Sequence, residues 1–297
     1  MSWIVEPWRT GIFVRGVAGA VLAGGLCGVV GTYVVLRRMS YIGHGLSHAV
    51  FGGAVVGYIA GNSFYVAGGI WGVMSALLIN AVARTRKVGA DAAIGIVTTA
   101  SFAVGVALIS RGGRFTRNFE AALFGNILGV TSTDLWVLGG VAFGVSVALF
   151  FLYKQLLFLT FDPEVAGAYG VRTGVVDGVF SVVLAAAILA SMRVLGVTLI
   201  AAAIVTPAVV ARLSTSSFAR MLGVAAVVGV VAGVAGMYVS WYADVASGAT
   251  ITLTAAALFA GVYLRSLLQG RSGRRLAALT DLTELSDVRD LTDLGVR

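Results

Sequence analysis

Residues 13–36, FVRGVAGAVLAGGLCGVVGTYVVL, contain one charge, Arg15, before the pair Arg37-Arg38 ends the run. As an α-helix rising about 1.5 Å per residue, such a run spans the ~30 Å hydrocarbon core of a bilayer. Runs of the same character follow at 41–61, 64–83, 92–110, 134–153, 174–191, 196–212, 220–241 and 249–266. The expected fold is all-α: a polytopic membrane helical bundle of about nine transmembrane helices, or eight if one is re-entrant. Residues 1–12 form an N-terminal segment, 13–266 the transmembrane domain and 267–297 a cytoplasmic tail.

Composition agrees. Of 297 residues 59% are hydrophobic and 11% charged, against about 45–50% and about 25% in a soluble domain. The mean hydropathy is +0.97. Forty glycines suit close packing of helices in lipid, and only Pro7, Pro163 and Pro207 interrupt the chain. The start, with Glu6 and Pro7 ahead of a long first run, does not read as a cleavable signal peptide. The one cysteine, Cys27, lies inside that run and reads as a small packing residue.

The net charge of +8 does not point to nucleic acid, because the basic residues cluster between apolar runs. Arg37-Arg38, Arg84 to Lys87, Lys154, Arg172, Arg212 with Arg220, and Arg265 to Arg275 fall in alternate loops. Placing these loops in the cytoplasm puts the N-terminus outside and the C-terminus inside. A re-entrant span would move the N-terminus inside.

Two connections exceed a turn. Residues 111–133 mix arginines, Glu120 and an apolar patch, and suit an interfacial or half-inserted helix on the outer face. Residues 158–173, FLTFDPEVAGAYGVRT, form a cytoplasmic segment in which Asp162 reads as a helix N-cap, Pro163 as the first helical position and Gly170 as the stop. The tail 270–297 alternates carboxylates with leucines at helical spacing and reads as amphipathic or solvated.

Ionisable groups inside membrane helices are costly and mark candidate sites. The chain's two histidines, His44 and His48, stand four residues apart in the second span. That spacing puts both imidazoles on one helix face, where they suit a divalent transition metal or a proton relay. The pattern is close to the HExxH of zinc hydrolases, but Gly45 stands where the general-base Glu belongs. A membrane metalloenzyme is therefore disfavoured. Asp91, at the start of the fourth span, reads first as an N-cap or partner of the Arg84–Lys87 cluster and second as a path residue. Glu120 would attract cations at the outer mouth or pair with Arg114 or Arg117, and Pro207 would kink its span. No G-x-x-x-x-G-K-[ST] occurs, so any ATP hydrolysis belongs to a separate subunit. The chain itself reads as no enzyme and holds no permanent cofactor.

The stretch 36–61, LRRMSYIGHGLSHAVFGGAVVGYIAG, resembles the second-helix region of the ABC-3 family of metal-ion ABC importer permeases. Residues 90–110, 123–136, 161–173, 195–214 and 223–262 are similar to further parts of that family in the same order, covering roughly 15–265. The resemblance implies the type II ABC importer permease fold in the cell membrane, with zinc or manganese as the transported ion and iron a third candidate. It implies a second permease copy, in most cases identical, two ABC ATPase subunits on the cytoplasmic side and an extracellular metal-binding protein. Asp162, Pro163, Glu164, Ala166 and Gly170 would belong to the coupling helix that docks on the ATPase, residues 111–133 to the outer gate, and Pro207 to a hinge.

One departure matters. The family pattern is D-x-x-x-H, and here His44 takes the place of the Asp, so the metal role passes to His48 by residue and to His44 by position only. Imidazole in place of carboxylate should weaken manganese relative to zinc and make binding pH-dependent, since both rings must be neutral to ligate. The expected function is a permease working by alternating access. The competing reading is a stand-alone ion-coupled transporter using the histidines as a proton relay.

Overall fold

A computed structural model describes residues 5–59, 61, 63–84, 89–112, 123, 125 and 127–268. Its long helices follow the apolar runs: α1 (Gly11–Leu36), α2 (Ser40–Ile59), α3 (Phe64–Arg84), α4 (Ala90–Gly112) and α5 (Ser132–Phe161). The short α6 (Pro163–Ala168) precedes α7 (Thr173–Leu195), α8 (Ile200–Ser214), α9 (Phe218–Ala243) and α10 (Ser247–Leu268). Among the described residues, nine long helices fall at the nine predicted runs. Glu120 and the tail beyond Leu268 lie outside the described residues.

Seven of these helices are long and apolar enough to cross a membrane by themselves. The two that fall short are α2, whose histidines and glycines dilute its apolar content, and α8. The latter has 15 residues and reaches about 22 Å at 1.5 Å per residue. Its run was expected to begin at 196, but Gly196, at φ 83°, caps α7 and the next three residues form a turn. At the other extreme α5 does not stop at 153 and continues to Phe161.

The core is organised around α1, which packs along α9 and also touches α8, α7 and α5. In lipid there is little hydrophobic drive for one helix to leave the tails for another, so close backbone approach and dispersion must supply the attraction. Small residues provide it. A Cβ on Gly24 would run into the Gly229 backbone, and one on Gly229 into that of Gly24, while Gly28 lies against the Ala225 carbonyl. Gly31 of the same helix is pressed against the Ile204 carbonyl of α8.

A second crossing holds α2. Gly53 and Gly57 admit Trp71 and Ala67 of α3, running antiparallel to it. Gly45 meets Ile94 and Thr98, and Gly52 meets Ser101, so α4 runs parallel to α2 on its other side.

The ends of the bundle are closed by aromatic and charged groups. At the end bearing Arg37, Phe218 touches Tyr33, Tyr153 and Phe161, tying α9 to α1 and α5. At the opposite end the Trp8 indole N–H donates to the Tyr238 hydroxyl at 2.6 Å. There Phe13 makes edge contacts with Trp8, Tyr238 and Trp241.

Gly24→Leu should therefore force α1 from α9 and cost about 1–3 kcal/mol or more, the usual range for overpacking. Gly140→Ala, which meets nothing within 4 Å, should be neutral. Cys27 is the chain's one cysteine and fully buried, so thermal labelling by a thiol-reactive dye reads unfolding directly. Equal labelling midpoints for the two variants would contradict the packing argument.

Candidate functional site

His44 and His48 occupy the first half of α2, nearer the Arg37 end. Glycines flank them because the neighbours come close: Gly45 sits under Ile94 and Thr98, and a Cβ on Gly43 would lie 3.8 Å from the tip of Ile204 on α8. The Ser47 hydroxyl donates to the His44 carbonyl at 2.7 Å, within the helix.

The two imidazoles are neighbours, with ring centroids 4.7 Å apart and planes at 81°. His48 is half-buried and stands edge-on to Phe102 of α4 at 5.1 Å, while His44 is exposed beside Tyr41. The Nδ1 of His48 is buried without a hydrogen-bond partner. A buried ring nitrogen left unpaired is uncommon, and here it belongs to one of two adjacent groups that ligate metals or carry protons.

No group of three or more His, Cys, Asp or Glu gathers among the described residues. The arrangement is a pair of adjacent imidazoles, His44 exposed and His48 half-buried.

The other predicted residues are dispersed. Asp91 is exposed in the first turn of α4. The parallel register that sets Gly45 beside Ile94 and Thr98 leaves Asp91 about one turn below the histidines, level with the start of α2. Pro207 is buried inside α8, where its missing N–H withholds a bond from the Ala203 carbonyl.

Asp162, Pro163, Glu164, Ala166 and Gly170 come together as expected. The Asp162 carboxylate accepts from the Val165 N–H at 3.0 Å, Pro163 opens α6, and Gly170 leaves at φ 79°. Ala166 is buried, with its carbonyl accepting from Val171 N–H at 3.0 Å. Glu164 lies exposed in the first turn.

One charged cluster went unread in the sequence. Asp134, almost fully buried at the start of α5, accepts from the Tyr65 hydroxyl of α3 at 2.5 Å and from Arg193 of α7 at 3.1 Å. Its other oxygen takes the Thr131 N–H and hydroxyl in a capping box. The Arg193 guanidinium also lies over the rings of Phe64 and Tyr65, at 4.7 and 5.2 Å. The charges of Asp134 and Arg193 were visible at span ends, but a pairing across 59 residues has no local signature.

The all-helical bundle has the fold of solved ABC-transporter membrane subunits. PsaBC from Streptococcus pneumoniae, solved in complex with Fab, superposes with a TM-score of 0.81 at 30% identity, over 88% of this chain and 94% of that one. The chain belongs to the ABC 3 transport family, whose sequence profile matches residues 10–266. It is similar to the manganese transport system membrane protein MntC of Halalkalibacterium halodurans, 40% identical over 86% of this chain and 88% of the relative. The manganese transport system membrane protein MntB of Synechocystis sp. is 32% identical over 86% of this chain and 84% of its own. The family and the repeated spans make the chain a multi-pass cell-membrane protein.

The Asp134 network carries its own test. Tyr65→Phe removes one donor from a buried carboxylate and should cost about 1.5–3 kcal/mol, the usual worth of a hydrogen bond to a charged group. The readout is the thermal midpoint in detergent, and an unchanged midpoint would show that the bond contributes nothing.

Proposed function

We propose that the chain is the membrane-spanning subunit of an ATP-driven importer of a divalent transition metal, working by alternating access, with His44 and His48 as the transient ion site. The observation that carries this reading is the pair of perpendicular imidazoles on one face of a membrane helix, one with an unpartnered buried nitrogen. Manganese is the first substrate, because the relatives are named for it. Zinc is the strongest competitor, since a second imidazole suits it better than a carboxylate-seeking ion, and iron is third. Two ligands per chain bind loosely, which suits an ion that must leave again.

The partners follow from the same reading. A second copy of the chain completes the path, a metal-binding protein delivers the ion outside, and two ATPase subunits dock against α6 on the cytoplasmic side. The capped, exposed α6 supports that docking role, with Glu164 on its accessible turn. ATP binding and hydrolysis then rock the bundle about the histidine site, with α8 bending at Pro207.

Two measurements test the proposal. Radioactive manganese uptake in cells lacking other importers should fall to background in His44→Ala/His48→Ala at normal membrane level, and unlabelled zinc should compete better than iron. Uptake undiminished in the double variant would remove the site. The stand-alone ion-coupled alternative needs no ATPase, so co-purification separates the two readings: a nucleotide-binding subunit should copurify with the wild-type chain and be lost in Glu164→Lys. A wild-type chain that transports with no such subunit bound would favour the alternative.

A further inference from the structure

A mechanical connection runs from α6 to the histidines through one ion pair. α6 is joined to α7 by residues 169–172 alone, and Asp177 lies in the second turn of α7. Its carboxylate holds the guanidinium of Arg37, the residue that caps the C-terminus of α1. The same guanidinium lies 5.1 Å from the centroid of Phe180, three residues further along α7. Arg37 is thus gripped by two α7 side chains on one face. The side chains of Arg37 and Asp177 are 11% and 26% exposed, so the pair is largely shielded from water and less screened by salt than a surface ion pair.

What Arg37 is attached to gives the contact its meaning. Only Arg37, Arg38 and Met39 separate α1 from α2. Arg38 adopts φ 56°, and the turn is closed by Arg37 N–H to the Tyr33 carbonyl at 3.0 Å, Arg38 N–H to Val35 at 3.1 Å and Met39 N–H to Val34 at 2.9 Å. Ile42 N–H then bonds the Met39 carbonyl at 2.9 Å. The turn has little freedom, so a displacement of Arg37 reaches α2, whose His44 lies seven residues on.

We infer that Arg37 and Asp177 are the positioning pair that transmits movement of α6 and α7 to α2, coupling ATP turnover in the partner subunit to the ion site. The inference rests on the importer reading above. Asp177 moves with the helix that follows the docking segment, Phe180 holds the guanidinium over its ring, and the three-residue turn converts a shift of the α1 terminus into a shift of the histidines. Neither residue touches the ion. A pair that only staples α1 to α7 would affect folding, whereas a transmitting pair affects the ratio of ions moved to ATP consumed.

The experiment reconstitutes the full chain with its ATPase subunits and delivery protein in proteoliposomes, and measures manganese uptake and phosphate release together. Asp177→Asn should lower ions per ATP about tenfold, within the usual range of coupling effects of about 5–150-fold, with ATPase binding retained. The charge exchange Arg37→Asp/Asp177→Arg should restore most of the ratio. Arg37→Lys, which keeps the charge and loses the planar contact with Phe180, should give an intermediate ratio, and serves if Asp177→Asn fails to assemble. An unchanged ratio in Asp177→Asn or Arg37→Lys overturns the inference, as does equal loss of uptake and ATPase activity with a lowered thermal midpoint. A wild-type chain without ATP-dependent uptake overturns the importer reading itself, and is distinguished by its failure before any substitution is made.

Discussion

The contact of backbone on backbone at Gly24 and Gly229 sets what else this bundle can do. Lipid tails are as apolar as leucine, so burying more apolar surface gains little inside a membrane. What remains is dispersion between atoms that approach closely. Glycines on both partners allow α1 and α9 to touch along their backbones, and Gly31 admits α8 in the same way. α1 becomes a fixed axis, and the other helices are placed relative to it. The exposed surfaces of α5 and α10 carry large aromatic and aliphatic side chains, among them Trp136, Phe150 and Leu253.

The same device positions the histidines. α2 is clamped between α3 and α4 at Gly45, Gly52, Gly53 and Gly57, which leaves His44 exposed and His48 half-buried among the described residues. Glycine therefore serves two ends in this segment. It lowers the apolar content of α2, and it lets neighbours support the helix from close range. A polar helix held this way can keep two imidazoles at membrane depth without a cage of ligands around them.

Much of this was legible in the sequence because membrane helices obey one strong rule: every backbone polar group must be satisfied within the segment. Long apolar runs thus gave the nine helices, and the Asp162-Pro163-Glu164 start with the Gly170 stop gave α6, since capping is local chemistry. The length of α5 past Tyr153 and the late start of α8 were missed, because both depend on residues meeting across the bundle. Phe161 packs on Phe218, and the Thr198 N–H and hydroxyl both bond the Leu123 carbonyl. The histidine pair was readable from its spacing, whereas the Asp134–Arg193–Tyr65 and Arg37–Asp177 contacts join residues more than fifty positions apart. No periodicity reports such pairs.

These two charged contacts divide the labour between the ends of the bundle. Asp134 holds Tyr65 and Arg193, so α3, α5 and α7 are fastened together at the end away from α6. Arg37 and Asp177 join only α1 and α7, at the end next to α6. α7 is thus held by a three-helix network at one end and, at the other, by the Arg37–Asp177 pair with Phe180 packed on Tyr33 and Arg37. Its second end lies beside the segment proposed to meet the ATPase, and the Arg37 it grips there leads through three hydrogen-bonded positions into the helix of the histidines. Under the importer reading, the weakly ligated site is also the site with the most direct mechanical link to the ATP-driven end. An ion held by two nitrogens can be released by a small displacement, where one held by a closed cage would need ligands to be broken in turn.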